Sequence, residues 1–221
     1  MNNIKNVLIV EDEPIIVHLL RKIFENLREW NFIINSAKTC DIAIQKINNS
    51  VISNHFDLVV LDINIPPSID GKTLSGEDIG IKLRECFPVV KIIVCTSSND
   101  NYRLNNILQT INPEGFLIKT DIDYKNIVDA INRVLVSPPY YSNKILNLIR
   151  QHISNDFVLD SIDRLMLYQL SKGTKTKDLP NLVNLSKGGV ERRKRHLKEV
   201  FDVGDEGDKK LLELAKEKGY I

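Results

Sequence analysis

Along the first two-thirds of the chain, short blocks of consecutive apolar residues alternate with longer stretches in which apolar positions recur every three or four residues. Val7-Leu8-Ile9-Val10, Leu58-Val59-Val60-Leu61, Ile92-Ile93-Val94-Cys95 and Gly115-Phe116-Leu117-Ile118 are unbroken and rich in β-branched side chains. Runs of this length read as parallel strands buried on both faces. The first strand is expected over about Ile4 to Val10 and a second over Phe32 to Ala37. A third ends at Asp62, a fourth spans Lys91 to Cys95, and the fifth runs to Ile118. Between them, Ile15, Leu19, Ile23 and Leu27 recur at helical spacing, with Pro14 suited to that helix's first turn. Further helices are expected around Ile42, Ile44 and Ile47, over Glu77 to Cys86, near Asn101 to Gln109 and over Asp121 to Leu135. Five such repeats predict a doubly wound α/β domain with right-handed crossovers.

The pattern breaks at Ser137-Pro138-Pro139-Tyr140-Tyr141, which marks a boundary. The division expected is 1–136, a linker over 137–157 carrying an amphipathic helix, and 158–221. Ser142 can cap that helix, whose Ile145, Leu148, Ile149 and Ile153 form an apolar stripe. The stripe either docks on the module that follows or contributes to a dimer contact. Beyond it the spacing is helical only. Ile162, Leu165, Met166, Leu167 and Leu170 share a helix ending at Gly173, and a short one over Leu179 to Val183 takes Pro180 in its first turn. A third spans roughly Lys187 to Phe201, and a last one Asp208 to Lys218 is closed by Gly219. Short helices joined by tight turns, the third strongly basic, predict a helix-turn-helix module.

Charge sharpens that division. The 221 residues are 43% hydrophobic and 27% charged, and the formal net charge is only +1. Residues 1–135 hold 14 Lys and Arg against 17 Asp and Glu, whereas residues 156–221 hold 14 against 12. Nine basic and two acidic residues fall between Lys172 and Lys198. An acidic half followed by a basic stripe points to two tasks on one chain. Cys40, Cys86 and Cys95 are too few and too scattered for a disulfide framework or metal cluster, and fit small apolar packing. No signal peptide is expected from polar Met1 to Asn6 and the four apolar residues that follow. Nor does any apolar run approach the ~20 residues needed to span a bilayer, so a cytoplasmic protein without a membrane partner is expected.

Chemistry gathers where the strands end. The first run leads into Glu11-Asp12, the third into Asp62, the fourth into Thr96 and the fifth into Lys119. Ligands of open parallel sheets bind beyond these carboxyl ends. Three packed carboxylates repel and raise one another's pKa unless a cation neutralises them, and Mg²⁺ suits such an oxygen-rich set. Asp62 would then be a nucleophile forming an acyl phosphate, with Lys119 a second positive charge and Thr96 a hydroxyl donor. Taken singly, the acids could be solvated groups ahead of a helix start, Thr96 a strand residue, Lys119 a surface cation and Phe116 core. Their shared placement at successive strand ends favours one site.

Glu11-Asp12, Asp62, Thr96 and Lys119, with Phe116 three residues before the lysine, resemble the receiver domain of two-component response regulators over residues 1 to about 135. The resemblance implies a flavodoxin-like, five-stranded sheet of order 2-1-3-4-5 and phosphorylation of Asp62 by a histidine kinase. It implies Mg²⁺ held by Glu11, Asp12, Asp62 and the main-chain carbonyl of Asn64, and a switch made of Thr96 and Phe116. Asn64 and Ser98 stand where receivers tune the lifetime of the phosphate. No enzymatic role is implied beyond self-phosphorylation from a donor and autodephosphorylation. Aspartyl-phosphate phosphatases also place an aspartate after an apolar strand, but they put a second acid two residues later, where this chain has Asn64. Pro66 to Gly76 departs from the family as a long polar stretch, and suits a lid, a kinase-specific contact or a tolerated insertion.

Residues 160–221 resemble the helix-turn-helix of LuxR/NarL-type regulators through Leu179, Val183, Leu185, Ser186, Val190, Leu197 and Phe201. Gly189 and Glu191 depart from that family's threonine and lysine. The resemblance implies double-stranded DNA as partner, control of transcription, and a homodimer on activation. Gly188, Arg192, Arg195 and Glu199, flanked by Glu191, would face outward, the amino-terminal half of that face toward the major groove. Arg192 and Arg195 would lie on guanine edges and Glu191 on cytosine; Lys187 is a further expected DNA-binding residue. Lys175, Lys177, Arg193, Lys194 and Lys198 would contact phosphates. The alternative is an output that binds protein rather than DNA.

Overall fold

The computed structural model describes residues 4–52, 55–98, 100–121, 123–151, 159–204, 206–218, 220 and 221. They form two compact units, one of residues 1–99 with 111–153 and the other of 100–110 with 154–221.

The first unit is built on a parallel sheet. Its strands are β1 (Ile4–Val10), β2 (Asn31–Ala37), β3 (Leu58–Asp62), β4 (Lys91–Thr96), β5 (Gly115–Ile118) and β6 (Tyr140–Tyr141), in the order β2-β1-β3-β4-β5-β6. Every residue of β3 and β5 is buried, as is Val7 to Val10 of β1, which is why these segments lack the alternation of a half-exposed strand. Edge strand β2 instead mixes exposed and half-buried positions. Register sets Asp62 beside Cys95 and Thr96 beside Ile118, so the strand ends line up.

Helices α1 (Pro14–Asn26), α2 (Cys40–Ile52), α3 (Gly76–Cys86) and α5 (Tyr124–Val136) complete the crossovers that belong to this unit. Their starts follow local chemistry. Ser75 caps α3 by accepting from the Glu77 N–H, and Asp123 caps α5 by accepting from the Asn126 N–H. Pro14 occupies the first turn of α1. On one side, Leu20, Ile23 and Phe24 of α1 and Ile127, Ala130, Ile131 and Val134 of α5 form a core with Val7, Ile9, Leu58, Val60 and Ile93. At the amino end of β4 and β5, the Arg84 guanidinium donates to the carbonyls of Ile111, Val90 and Asn112 and to Glu114. Glu114 also accepts from the Ile92 N–H at 2.7 Å.

Three expectations change here. The sheet has six strands, because Tyr140 and Tyr141 add a short edge to β5: the Tyr140 N–H donates to Glu114 O and the Ser142 N–H to Phe116 O, each at 2.9 Å. The exposed edge of β5 carried unpaired backbone groups, and the segment expected to be a linker satisfies them. Next, α6 (Asn143–Gln151) packs on β5 and β6 through Ile145 and Leu148, which are buried, whereas Ile149 is exposed. Ile153 and Gly219 lie outside the described residues. Finally, most of α4 (Asn101–Ile111), the helix between β4 and β5, belongs to the second unit, where Asn106 Oδ1 accepts from the Leu159 N–H at 2.6 Å.

The rest of the second unit comprises α7 (Ser161–Ser171), α8 (Leu179–Val183), α9 (Lys187–Val200) and α10 (Asp208–Glu217). Met166, Leu167, Leu170, Leu179, Val183, Val190, Leu197, Phe201 and Leu211 form its core. A reciprocal capping box of Asp160 and Asp163 starts α7. Asn184, at φ 51°, turns the chain out of α8, and Ser186 caps α9 by accepting from the Gly189 N–H. Among the described residues no helix is long and apolar enough to cross a membrane.

Two glycines separate packing from propensity. A Cβ at Gly76 would run into the Asp62 carbonyl oxygen, whereas one at Gly188 would meet nothing within 4 Å. Gly76→Ala is expected to cost about 1–3 kcal/mol, and Gly188→Ala to be neutral or to stabilise by up to about 1 kcal/mol. Urea unfolding of the two variants checks this, and equal effects would contradict it.

Candidate functional site

The carboxyl ends of β1, β3, β4 and β5 bring together groups far apart in sequence. Lys119 Nζ lies 2.9 Å from Asp62 Oδ2 and 2.9 Å from Glu11 Oε2. It also reaches Glu13 Oε1 at 3.4 Å. Asp62 and Glu11 are each only 3% exposed, while Asp12 is open to solvent. Single carboxylate oxygens of Glu11, Asp12 and Asp62 lie within 4.8 Å of one another. The second oxygen of Asp62 accepts from the Asn64 N–H at 3.0 Å. Thr96 is fully buried, and its Oγ1 accepts from the Ser98 N–H at 3.1 Å.

Burial and charge act against each other at this site. Desolvation, reinforced by Asp62, pushes the Glu11 carboxyl above its ordinary value, although the Lys119 ammonium pulls the other way. Burial would lower the Lys119 pKa, but hydrogen bonds to Asp62 and Glu11 outweigh it and hold the ammonium charged. Burial, with the same two carboxylates nearby, pushes the Cys95 thiol up to about 12. Cys40 is likewise raised to about 12 by burial. Neither is a thiolate at neutral pH, in keeping with a packing role.

The structure brings Glu11, Asp12, Asp62 and Lys119 together, with Thr96 at the end of the adjacent strand. Phe116, expected to form a switch with Thr96, is wholly buried. Two participants were missed. Glu13 joins the lysine's partners, and its position beside the acid pair was a visible signal. Ser97 Oγ accepts from Asn64 Nδ2 at 2.8 Å, tying the segment after β3 to that after β4. No local signal marks that pair.

In the second unit the basic run of α9 divides. Arg193 pairs with Asp160 at 2.7 Å and Asp163 at 2.8 Å. Lys194 and Lys198 pair with Asp208 at 3.0 and 3.1 Å, and Lys194 also donates to Thr176 Oγ1. These three cations, expected on phosphates, are engaged in tying α9 to its neighbours. Lys187, Gly188, Glu191, Arg192 and Arg195 are exposed, as are Lys175 and Lys177.

Residues 7–132 match the family described as the response regulator receiver domain. No curated protein sequence matches the chain. Among solved structures, the chain is similar to RcsB from Salmonella enterica serovar Typhimurium bound to promoter rprA with phosphomimetic BeF3-, at 20% identity and TM-score 0.65 over 97% of this chain and 99% of that one. Another Salmonella typhimurium RcsB structure, described for conformational dynamism in DNA interaction, gives 21% identity and TM-score 0.64 over 99% of each chain. The fold of both units is thus shared with these proteins.

Two expected outcomes follow from the ion pairs. With a chelator present, Glu11→Gln should raise the unfolding temperature at pH 7. A carboxyl whose folded pKa is raised adds stability below about pH 4.5 that is lost as pH rises through the folded value, so the gain should shrink toward pH 4. A gain that does not vary between pH 4 and 7 would contradict the assignment. Arg193→Ala should cost about 1–3 kcal/mol by leaving Asp163 without its partner, against about 0–1 kcal/mol for exposed Arg192→Ala, both read from urea unfolding.

Proposed function

Since the chain belongs to the response regulator receiver family through residues 7–132, we propose that it is a regulator whose Asp62 accepts a phosphoryl group from a histidine kinase and thereby controls DNA binding by α9. One observation carries the reading: the ammonium of Lys119 bridges Asp62 and Glu11 at 2.9 Å each, at the mouth of a three-carboxylate cluster.

The site's groups divide the task. An Asp62 carboxylate oxygen attacks phosphorus, the P–N bond to the donor imidazole breaks, and its electron pair leaves with the imidazole, which takes up a proton. The product is a mixed anhydride. Lys119 supplies fixed positive charge for the phosphoryl oxygens, and the Thr96 hydroxyl, which accepts from the Ser98 N–H, keeps its own hydrogen to donate to them. The three oxygen donors fit Mg²⁺, with the Asn64 carbonyl a further ligand. When bound, the ion would neutralise charge between the acids and the phosphoryl group. Asn64 and Ser97, hydrogen-bonded to each other, border this space and govern access of water to the anhydride. Asn64 also lacks the second carboxylate that a phosphatase needs, which favours a signal over turnover.

The output reading rests on α9 and on the shared fold. RcsB has been solved on promoter DNA, and as two dimers on two parallel DNAs, which supports double-stranded DNA and a homodimer as partners here. Exposed Arg192 and Arg195 suit guanine edges, while Lys187, Lys175 and Lys177 suit phosphates. Phosphorylation shifts the equilibrium only by stabilising one conformation more than the other. A cytoplasmic location belongs to the same reading.

Acetyl phosphate with Mg²⁺ should add one phosphoryl mass to the intact protein and none to Asp62→Ala; an unmodified wild type overturns the acceptor assignment. On a DNA site selected with beryllofluoride-treated protein, Arg192→Ala with Arg195→Ala should weaken binding by about tenfold or more. Regulated transcripts that ignore that double variant would instead favour an output that binds protein.

A further inference from the structure

The segment from Ile63 to Gly76 is far longer than a strand-to-helix turn requires, yet its backbone is closely braced. Gly76 N–H donates to Ile63 O at 2.9 Å, closing its base. The Pro66 carbonyl accepts from the Cys40 N–H at 3.2 Å. Ser68, only 8% exposed, is the hub. Its N–H donates to Thr73 O and its carbonyl accepts from Gly71 N–H. Its hydroxyl donates to Asp70 Oδ1 at 2.6 Å and accepts from the Thr73 N–H at 3.0 Å. The Ile69 N–H donates to both carboxylate oxygens of Asp41, at 3.2 and 3.3 Å. Leu74 N–H donates to Asp78 Oδ2 at 2.7 Å. The product of this bracing is one isoleucine, Ile69, held 96% exposed.

A lone exposed apolar side chain is ordinary on a protein surface. A backbone fixed by this many hydrogen bonds to point it outward is a different matter, because a preordered apolar anchor loses little entropy when a partner covers it. Location then selects the partner. Asp41 stands in the first turn of α2, which follows the carboxyl end of β2. The last residue of that strand, Ala37, accepts the Glu11 N–H at 2.9 Å. The loop is thus tied to the sheet edge that carries Glu11, Asp62, Thr96 and Lys119. Its other end, Gly76, lies against the Asp62 carbonyl itself. With the Asp62 carboxylate almost wholly covered, a protein donor must settle on this edge and meet the loop, whereas a small phosphodonor need not.

We propose that residues 66–75 are a docking anchor for the phosphohistidine-bearing protein, with Ile69 entering an apolar recess on that partner, and that they do not act as a lid. The inference rests on the reading of Asp62 as phosphoacceptor. It is tested with full-length wild type, Ile69→Asp, Ile69→Leu and Asp41→Ala. Each is given phosphoramidate, or the autophosphorylated cytoplasmic portion of whichever histidine kinase from the source organism transfers fastest to wild type. Ile69→Asp should slow transfer from the kinase about tenfold, the loss of one modest hot spot, with phosphoramidate labelling changed less than about twofold. Ile69→Leu should restore transfer, and Asp41→Ala, which frees the Ile69 N–H, should slow it less than Ile69→Asp. Kinase transfer unchanged in Ile69→Asp overturns the proposal, as does parallel slowing with both donors, which would make the loop a support of the pocket. A change in oligomeric state without a change in transfer overturns it in favour of a second copy of the chain. Phosphoramidate labelling of Asp62 in a wild type that no kinase phosphorylates overturns the choice of partner alone. A wild type that neither donor labels removes the Asp62 reading, and the anchor with it.

Discussion

The ammonium of Lys119 is the charge on which the rest of the site depends. Glu11 and Asp62 are buried side by side, and two carboxylates in that setting cannot both stay ionised without a cation between them. Lys119 follows β5, whereas Asp62 ends β3, with β4 lying between. The ammonium must therefore cross about two strand spacings, close to 10 Å, over the end of β4. Small hydroxyl residues, Thr96 and Ser97, stand at that crossing. The lysine offsets part of the cost of burying Glu11, whose carboxyl is still pushed above its ordinary value by desolvation.

The sheet divides its duties between its two ends. At the amino end, Arg84 joins three backbone carbonyls to Glu114, which in turn holds the Ile92 N–H. The hydrogen bonds described there all end on acceptors within the fold. The carboxyl end is the reverse. It gathers more negative charge than one lysine neutralises and leaves Asp12 in water, an arrangement suited to a divalent cation and a phosphoryl group. Open parallel sheets permit this separation because their loops at one end can vary without disturbing the core.

In the helical unit, a basic sequence stripe proves to be two populations. Arg193, Lys194 and Lys198 meet Asp160, Asp163 and Asp208, fixing α9 against the start of α7 and the start of α10. Arg192, Arg195 and Lys187 remain outward. Helical periodicity separates the faces, but acids 10 to 33 residues away decide which cations are consumed internally. The positive charge available to nucleic acid is smaller than the composition of the run suggests, and the helix that presents it is more firmly placed.

How much of this was written in local order follows from the range of the forces involved. Buried parallel strands, the five repeats, the helix boundaries marked by Pro14 and Ser75, and the acids, hydroxyl and lysine at strand ends all arise from neighbours in the chain. A strand inside a parallel sheet covered on both faces must be apolar on both, and its final residue lies at the same edge as its parallel neighbours'. Local order alone therefore pointed to the doubly wound α/β fold and to Glu11, Asp12, Asp62, Thr96 and Lys119 as candidate members of its site. Tertiary structure decided what needs a distant partner. Tyr140 and Tyr141 become a strand only because β5 offers unpaired backbone, and Ile145 and Leu148 of α6 are covered while α6 packs on β5 and β6. Glu13 and Ser97 enter the site only when the chain is closed upon itself. The loop after Asp62 is held rigid because Asp41, twenty-eight residues before Ile69, is brought under it; hydrogen bonds are satisfied by proximity in space, and sequence separation does not record that.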